Sequence, residues 1–260
     1  MLIFDSGIGG LSILKYIKDK IKNVHYIYML DNEAFPYGNK TELFIIERSI
    51  KIINIVKKNY PINVVVIACN TASTTALYYL RKQFKLPIIG IFPEIQKAEK
   101  VTKNNIIGLV ATSTTIYSSY IQKQLNQKCI HTNIKTIATN HLALIAEKKI
   151  RGFNIPRIDL EYIFKDWMNL SIKPDTIILG CTHFLSLKKE IQRIFNQSIF
   201  FIDSKEQILS EGKDWLYQLQ LNQKNQKNIF LYSKKNKTVQ QLFCYLKEYN
   251  FQQIKNINVR

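Results

Sequence analysis

Short apolar runs alternate along this chain with longer stretches in which apolar residues recur every three or four positions. The runs Leu2–Phe4, Tyr26–Leu30, Val64–Ala68, Ile88–Phe92, Ile106–Val110, Ile134–Ala138, Ile177–Leu179 and Ile199–Ile202 read as strands. Between them, Leu11–Ile21, Glu42–Lys58, Ser73–Phe84, Ile116–Leu125 and Leu185–Phe195 carry the period of amphipathic helices. Strand and helix alternating in this way predict an α/β protein with parallel sheets and helices on both faces. With 260 residues the chain can bury a substantial core, as one large domain or two small ones.

In such sheets a ligand lies off the carboxyl ends of the strands, and polar motifs gather there. DSGIGG (Asp5 to Gly10) ends the first strand, and its glycines let backbone N–H groups approach an anion. DNEAFPYGNK (Asp31 to Lys40) ends the second, with a Pro36-Tyr37-Gly38 turn that by itself is a connection. LVATSTT (Leu109 to Thr115) ends another in a run of hydroxyls that could simply cap the next helix. Each has an ordinary explanation alone; together, hydrogen-bonding groups at nearly every strand end are what a site requires.

Two of these strand ends carry a thiol. VVVIACNT (Val64 to Thr71) and IILGCTH (Ile177 to His183) look like copies of one another, each running into a cysteine where a helix is expected to begin. Cys69 and Cys181 are 112 residues apart, which excludes a local Cys-x-x-Cys redox or zinc motif. Free cysteine is often just a small buried hydrophobe, and Cys129 and Cys244 fit that description. Cys69 and Cys181 do not, because a Thr follows each within two residues and suits a helix start better than a core strand. A thiol at a helix N-terminus is expected to have its pKa lowered from about 8.5 toward neutrality, and so to give and take protons.

Composition narrows the setting. Hydrophobic residues make up 46%, yet no apolar run approaches the roughly 18 residues of a membrane span. MLIFDSGIGG enters a strand-and-turn pattern at once and shows no signal-peptide pattern, so neither a signal peptide nor an N-terminal regulatory extension is expected. A cytoplasmic protein with reduced cysteines is expected. The net charge of +18 raises the question of nucleic acid, but the excess is Lys mixed with Asn and Ile along the chain, and no helix or loop carries a dense basic face. A solvated surface explains it better than a nucleic-acid site does, and would still help to steer an anionic substrate.

FDSGIGGLSIL, FPYG, VVIACNTAS and ILGCTH, in this order and at these separations, resemble the signature segments of glutamate racemase, in the cofactor-independent aspartate/glutamate racemase superfamily. The resemblance covers nearly the whole chain. Thr114 stands where a Gly is usual, Asp31 to Phe35 is atypical and the last forty or so residues match weakly. These departures bear on closure over the substrate more than on the chemistry.

The resemblance implies two similar doubly wound α/β domains with the active site in the cleft and one thiol from each. Residues 1–91 with 205–260 would form the first and 92–204 the second. It implies interconversion of L- and D-glutamate with no cofactor and no metal, supplying D-glutamate for peptidoglycan. Inversion needs an acid and a base on opposite faces of one carbon, and a thiol and a thiolate suit both tasks. Cys69 would take the α-proton of D-glutamate, assisted by Asp5; Cys181 would take that of L-glutamate, assisted by His183 with Glu147. Ser6, Pro36, Tyr37, Gly38, Asn70, Thr71, Thr112, Thr115, Thr182, Asp5 and His183 would line the substrate site. Glu147, followed by two lysines, otherwise reads as a solvated helix face.

Two other functions compete. A different racemase of the superfamily, such as an aspartate racemase, would keep both thiols and change the side-chain pocket. A nucleic-acid or DNA-gyrase partner would find its warrant in the +18 charge, but needs neither thiol. The expected partner is therefore glutamate, with no membrane and no nucleic acid, and a homodimer is left open.

Overall fold

A computed structural model of the chain describes residues 1–21, 24–127, 132–221 and 227–259. Among the described residues ten strands form two sheets, every pair parallel. The first six-stranded sheet contains β1 (Leu2–Asp5), β2 (Ile27–Leu30), β3 (Val65–Ile67), β4 (Ile88–Gly90), β9 (Ile229–Tyr232) and β10 (Gln253–Asn256), in the order β10-β9-β2-β1-β3-β4. The second contains β5 (Ile106–Ala111), β6 (Asn133–Ala138), β7 (Thr176–Gly180) and β8 (Phe200–Ile202), in the order β6-β5-β7-β8.

Both sheets are covered on both faces, as near-continuous apolar strands require. Ile3, Tyr28, Val66, Ile89 and Phe230 point to one side of the first sheet, onto Leu11, Leu14 and Ile17 of helix Leu11–Lys20 and Val239, Leu242 and Leu246 of helix Lys237–Leu246. Their sequence neighbours Leu2, Phe4, Ile27, Met29, Val65 and Ile67 point to the other, onto helices Glu42–Asn59 and Asn70–Gln83. The second sheet repeats the plan: Val110, Ile177 and Leu179 pack on helices His141–Ile150, Arg157–Met168 and Lys188–Ile194. Ile107, Leu109, Ile178 and Ile202 pack on helices Ile95–Val101 and Ser119–Asn126. The chain thus forms two doubly wound α/β units.

All eight expected strands are present, shifted by a residue or two at their ends. Strands β9 and β10 were not expected: IFLY is an apolar run no shorter than others that were read, whereas QIKN is polar and mostly exposed on the sheet edge. Helix Asn70–Gln83 begins three residues earlier than the expected Ser73. The expected helix Ile116–Leu125 is two pieces, Ser113–Ile116 and Ser119–Asn126, the second capped by the Ser118 hydroxyl. Cys244 is exposed rather than buried, since helix Lys237–Leu246 turns Val239, Leu242 and Leu246 inward and leaves Cys244 on the opposite face. Cys129 lies outside the described residues.

Strand order fixes where a site can be. In the first sheet the chain steps from β1 to β2 on one side and then to β3 on the other, so β1 and β3 flank a switch point. In the second sheet β5 and β7 do the same. The loops at these points carry DSGIGG and Cys69 in one sheet, Thr112 and Cys181 in the other. The chain passes between the sheets twice, near Phe92 and near Ser204, and the passages are bonded together. Ser204 Oγ donates to the Phe92 carbonyl (2.6 Å), and the Phe92 N–H donates to Gln207 Oε1 (2.8 Å).

Candidate active site

Cys69 is the N-cap of helix Asn70–Gln83, just beyond β3. Its sulfur lies 3.7 Å from Ser6 Oγ. Asp5, the last residue of β1, is fully buried beside it. Asp5 Oδ2 accepts from the Gly10 N–H (2.6 Å) and from Thr182 Oγ1 (3.3 Å), and Ser6 Oγ donates to Oδ1 (3.4 Å). Burial raises the Asp5 pKa, opposed by the charge of His183, by N–H groups of Gly10 and Gly7 and by the Cys69 thiol.

The expectation that a helix N-terminus lowers the acidity range of Cys69 is not met. Burial pushes its thiol well above the ordinary value, and the Asp5 carboxylate and Cys181 push the same way. The Ala72 N–H and the Ser6 hydroxyl pull it down without compensating. Removing a thiolate from water costs more here than the helix terminus returns.

Cys181 follows β7 and caps a 3-10 segment, Thr182–Leu187, where an α-helix was expected. Its sulfur is 3.7 Å from His183 Nδ1. His183 Nε2 lies 3.2 Å from Glu147 Oε1, and the other oxygen of Glu147 takes the Arg151 guanidinium. Burial alone would keep the imidazole neutral; the Cys181 and Glu147 contacts and the charge of Asp5 outweigh it, and the His183 pKa rises well above the ordinary range. Burial likewise favours the neutral acid of Glu147, but His183 and Arg151 hold its pKa below the usual carboxylate value. Glu147 is therefore a buried member of the site and not a solvated helix residue; the lysines that follow it gave no sign of this.

The two halves meet through the DSGIGG loop. The Ile8 N–H donates to Glu147 Oε1 and the Gly9 N–H points at His183 Nε2, both at 3.3 Å. With Nε2–H directed to Glu147, that nitrogen cannot accept from the Gly9 N–H, so the Gly9 contact is a close approach and not a hydrogen bond. This approach needs glycine. A Cβ at Gly7 would lie 2.4 Å from His183 Nε2, and one at Gly9 would lie 2.5 Å from the His183 backbone nitrogen.

A wall of polar residues completes the enclosure. The Thr71 and Thr112 hydroxyls are 2.9 Å apart, Thr112 and Thr115 are 2.8 Å apart, and Thr115 Oγ1 reaches Thr71 Oγ1 at 3.1 Å. The three side chains join the two units, and Thr112 also caps helix Ser113–Ile116. Asn70 Nδ2 donates to Ser204 Oγ (3.2 Å). Pro36 is half-buried, while Tyr37 and Gly38 are buried. The Tyr37 hydroxyl is committed to Asp31 Oδ2 (2.8 Å), so Tyr37 supplies shape rather than a free polar group.

Sequence reasoning missed the residues that hold this wall. Arg48 grips Asp31 bidentately, through Nη2 to Oδ1 (2.7 Å) and Nε to Oδ2 (2.9 Å), and also bonds Glu33 and the Val259 carbonyl. The Tyr28 hydroxyl holds the Gly7 carbonyl (2.8 Å). Asp31 stands in the strand-end motif already singled out, whereas Arg48 sits inside an amphipathic helix with no local mark of its partner. Arg151, on which Glu147 depends, shows in the sequence only the i,i+4 spacing of an ordinary helix ion pair.

Both thiols, with Asp5, Ser6, Asn70, Thr71, Thr112, Thr182 and His183, thus fall at the switch-point ends of the two sheets, while Tyr37 and Gly38 come from the loop after β2 and Glu147 from helix His141–Ile150. Beside each thiol stands a titratable side chain, Asp5 at Cys69 and His183, backed by Glu147, at Cys181. Residues 12–208 match the family Asp/Glu/Hydantoin racemase. A glutamate racemase of Buchnera aphidicola subsp. Acyrthosiphon pisum (strain 5A) is 59% identical over 261 residues, the full length of both chains. The crystal structure of Escherichia coli glutamate racemase, in complex with L-glutamate and the activator UDP-MurNAc-ala, superposes with a TM-score of 0.91 at 34% identity, covering 99% of this chain and 97% of that one. Glutamate racemase isoform RacE1 of Bacillus anthracis gives a TM-score of 0.82 at 25% identity, over 99% and 96%. Carrying the family's sequence pattern through most of its length, and its fold through nearly all of it, the chain belongs to the Asp/Glu/Hydantoin racemase family.

Proposed function

We propose that this protein interconverts L- and D-glutamate by proton transfer between two thiols, without a cofactor, and so supplies D-glutamate for peptidoglycan in the cytoplasm. The observation that carries the reading is the pairing of Cys69 and Cys181 at the switch points of two facing sheets, each beside its own titratable partner. Residues 1–91 with 205–260 would move as one domain and 92–204 as the other, a division supported by the bonded passages near Phe92 and Ser204.

In the L-to-D direction, the Cys181 thiolate removes the α-proton from one face of the substrate, and the electron pair is left on the α-carbon. The Cys69 thiol then donates its own proton to the opposite face and becomes the thiolate. The reverse direction exchanges the roles. An imidazolium at His183, held by Glu147, counters the charge on Cys181 as base, while the burial that keeps Cys69 protonated suits it as the acid. Asp5 would serve Cys69 when that sulfur must act as base. Backbone N–H groups near Ser6, Gly38, Asn70, Thr71 and Thr182 would hold the carboxylates and stabilise the carbanion.

The test is circular dichroism of L- and of D-glutamate incubated with extensively dialysed protein, with aspartate in parallel. Decay of both glutamate signals to zero, with aspartate unchanged, is expected. Turnover of aspartate in preference to glutamate would assign the same chemistry to another substrate, and turnover of neither would refute the proposal.

A further inference from the structure

Both thiols are almost fully covered, at 6% and 7% exposure, so a substrate reaches them only when the two units part. Several contacts across the cleft are long: Thr182 to Asp5, Ile8 to Glu147 and Gly9 to His183 are each 3.3 Å. Thr114 makes a shorter one, as Thr71 does with Thr112 at 2.9 Å. Its Oγ1 donates to the Gly38 carbonyl at 2.8 Å, with the Lys40 carbonyl 3.2 Å from the same hydroxyl. Thr114 lies in the short helix Ser113–Ile116 after β5, while Gly38 and Lys40 lie on the wall after β2. A hydroxyl in the first turn of a helix often caps that helix, but here the Thr112 hydroxyl takes the Thr115 N–H, which leaves Thr114 to reach across. Its partners are backbone carbonyls in a wall anchored from behind by Tyr37, Asp31 and Arg48. A glycine at 114 would make neither bond.

We infer that the Thr114 hydroxyl is a latch that holds the cleft shut over the two thiols. Thr114 is a positioning residue: it touches no reacting atom, and it sets how much of the time the site is open. The inference rests on the cleft being the active site proposed above. A neutral hydrogen bond across a closing surface shifts the open population by about 2- to 13-fold.

Opening can be read without turnover. The full-length protein, free of substrate, is treated with iodoacetamide, and labelling of each cysteine is followed by peptide mass spectrometry. Exposed Cys244, far from the cleft on helix Lys237–Leu246, serves as the internal standard. Relative to Cys244, Thr114→Val should speed labelling of Cys69 and Cys181 together by about 2- to 13-fold, while Thr114→Ser should stay within about twofold of the parent. Should Thr114→Val fail to fold, Thr114→Ala carries the same expectation. Parental labelling rates in the hydroxyl-free variant would overturn the latch, and so would a Ser variant as fast as Val. A protein that labels as expected but leaves glutamate unchanged would keep the latch and refute the racemase reading.

Discussion

Gly7→Ala adds one methyl group where the DSGIGG loop passes closest to the Cys181 half of the site. The new Cβ would lie 2.4 Å from His183 Nε2, 2.6 Å from Cε1 and 2.7 Å from Glu147 Oε1, whereas ordinary contact begins at 3.4 Å. Loop or imidazole must therefore move by about 1 Å, a displacement that can cost on the order of 10²-fold in rate when it misplaces a reacting group. The ring has little room to yield, because it is buried between Cys181, Glu147 and Phe35, whose ring centroid is 5.2 Å away. Nor is the loop free, with Tyr28 on the Gly7 carbonyl and Asp5 on the Gly10 N–H. Overpacking of this kind destabilises by about 1–3 kcal/mol, less than the total stability of a domain, so the variant should fold. Urea unfolding gives the stability, and circular dichroism of each enantiomer gives the rate. The enantiomers have equal free energy, so kcat/KM must fall by the same factor in both directions. A folded Gly7→Ala protein racemising within threefold of the parent would refute the argument that this contact aligns His183.

Cys69→Ala and Cys181→Ala should each abolish racemisation and leave the urea midpoint within about 1 kcal/mol of the parent, since a methyl group replaces a small thiol; either one retaining near-normal activity removes the two-thiol mechanism. The Glu147–His183 pair should contribute its full stability between about pH 4.5 and 6.5. Glu147, lowered in the fold, loses its share as pH falls through its folded pKa, and His183, raised in the fold, loses its share as pH rises toward its folded pKa. Urea midpoints measured from pH 4 to 9 should vary less in Glu147→Gln than in the parent, and identical profiles would count against the pair. Activity should survive exhaustive dialysis with no gain from added pyridoxal phosphate or metal, read in the same dichroism assay. DNA binding, measured by fluorescence anisotropy, should be weak, indifferent to sequence and lost in moderate salt while racemisation persists; tight sequence-dependent binding by a protein inactive on glutamate would favour the nucleic-acid reading.

What the sequence reveals of this site follows the range of each interaction. Cys69, Cys181 and Asp5 are legible because each ends an apolar run, and a strand's end is a local property. His183 is legible through its distance of two residues from a thiol. Glu147 is not, because the partners that bring it into the site are His183, thirty-six residues on, and a backbone N–H at Ile8, while its pairing with Arg151 at i,i+4 and the lysine run beside it look like an ordinary helix surface. The Arg48 clamp on Asp31 is hidden in part: Asp31 stands in a strand-end motif, but Arg48 is ordinary within its helix, and only the packing of that helix beside β2 brings them together. The acidity of Cys69 was misread because the helix terminus is local whereas burial comes from the whole fold. For the strands, polarity set one limit: β1 to β8 announce themselves as apolar runs, while edge strand β10 presents mostly exposed polar residues and has no such mark; β9 is as apolar as the strands that were read and was overlooked.

The six-stranded sheet also sets an order of assembly. Strand β2 takes β9 as its outer neighbour, and β9 takes β10, yet about two hundred residues separate β2 from β9 in the chain. The four-stranded sheet draws all its strands from residues 106–202. On the ribosome the middle of the protein can therefore close on itself while β2 still presents an unpaired edge. That edge is a site for wrong pairing, and it stays open until residues 229–232 have emerged. A nascent chain of this protein depends on how fast its last quarter is made, and a translational pause after β8 would lengthen the time in which Ile27 to Leu30 can pair with a neighbour instead.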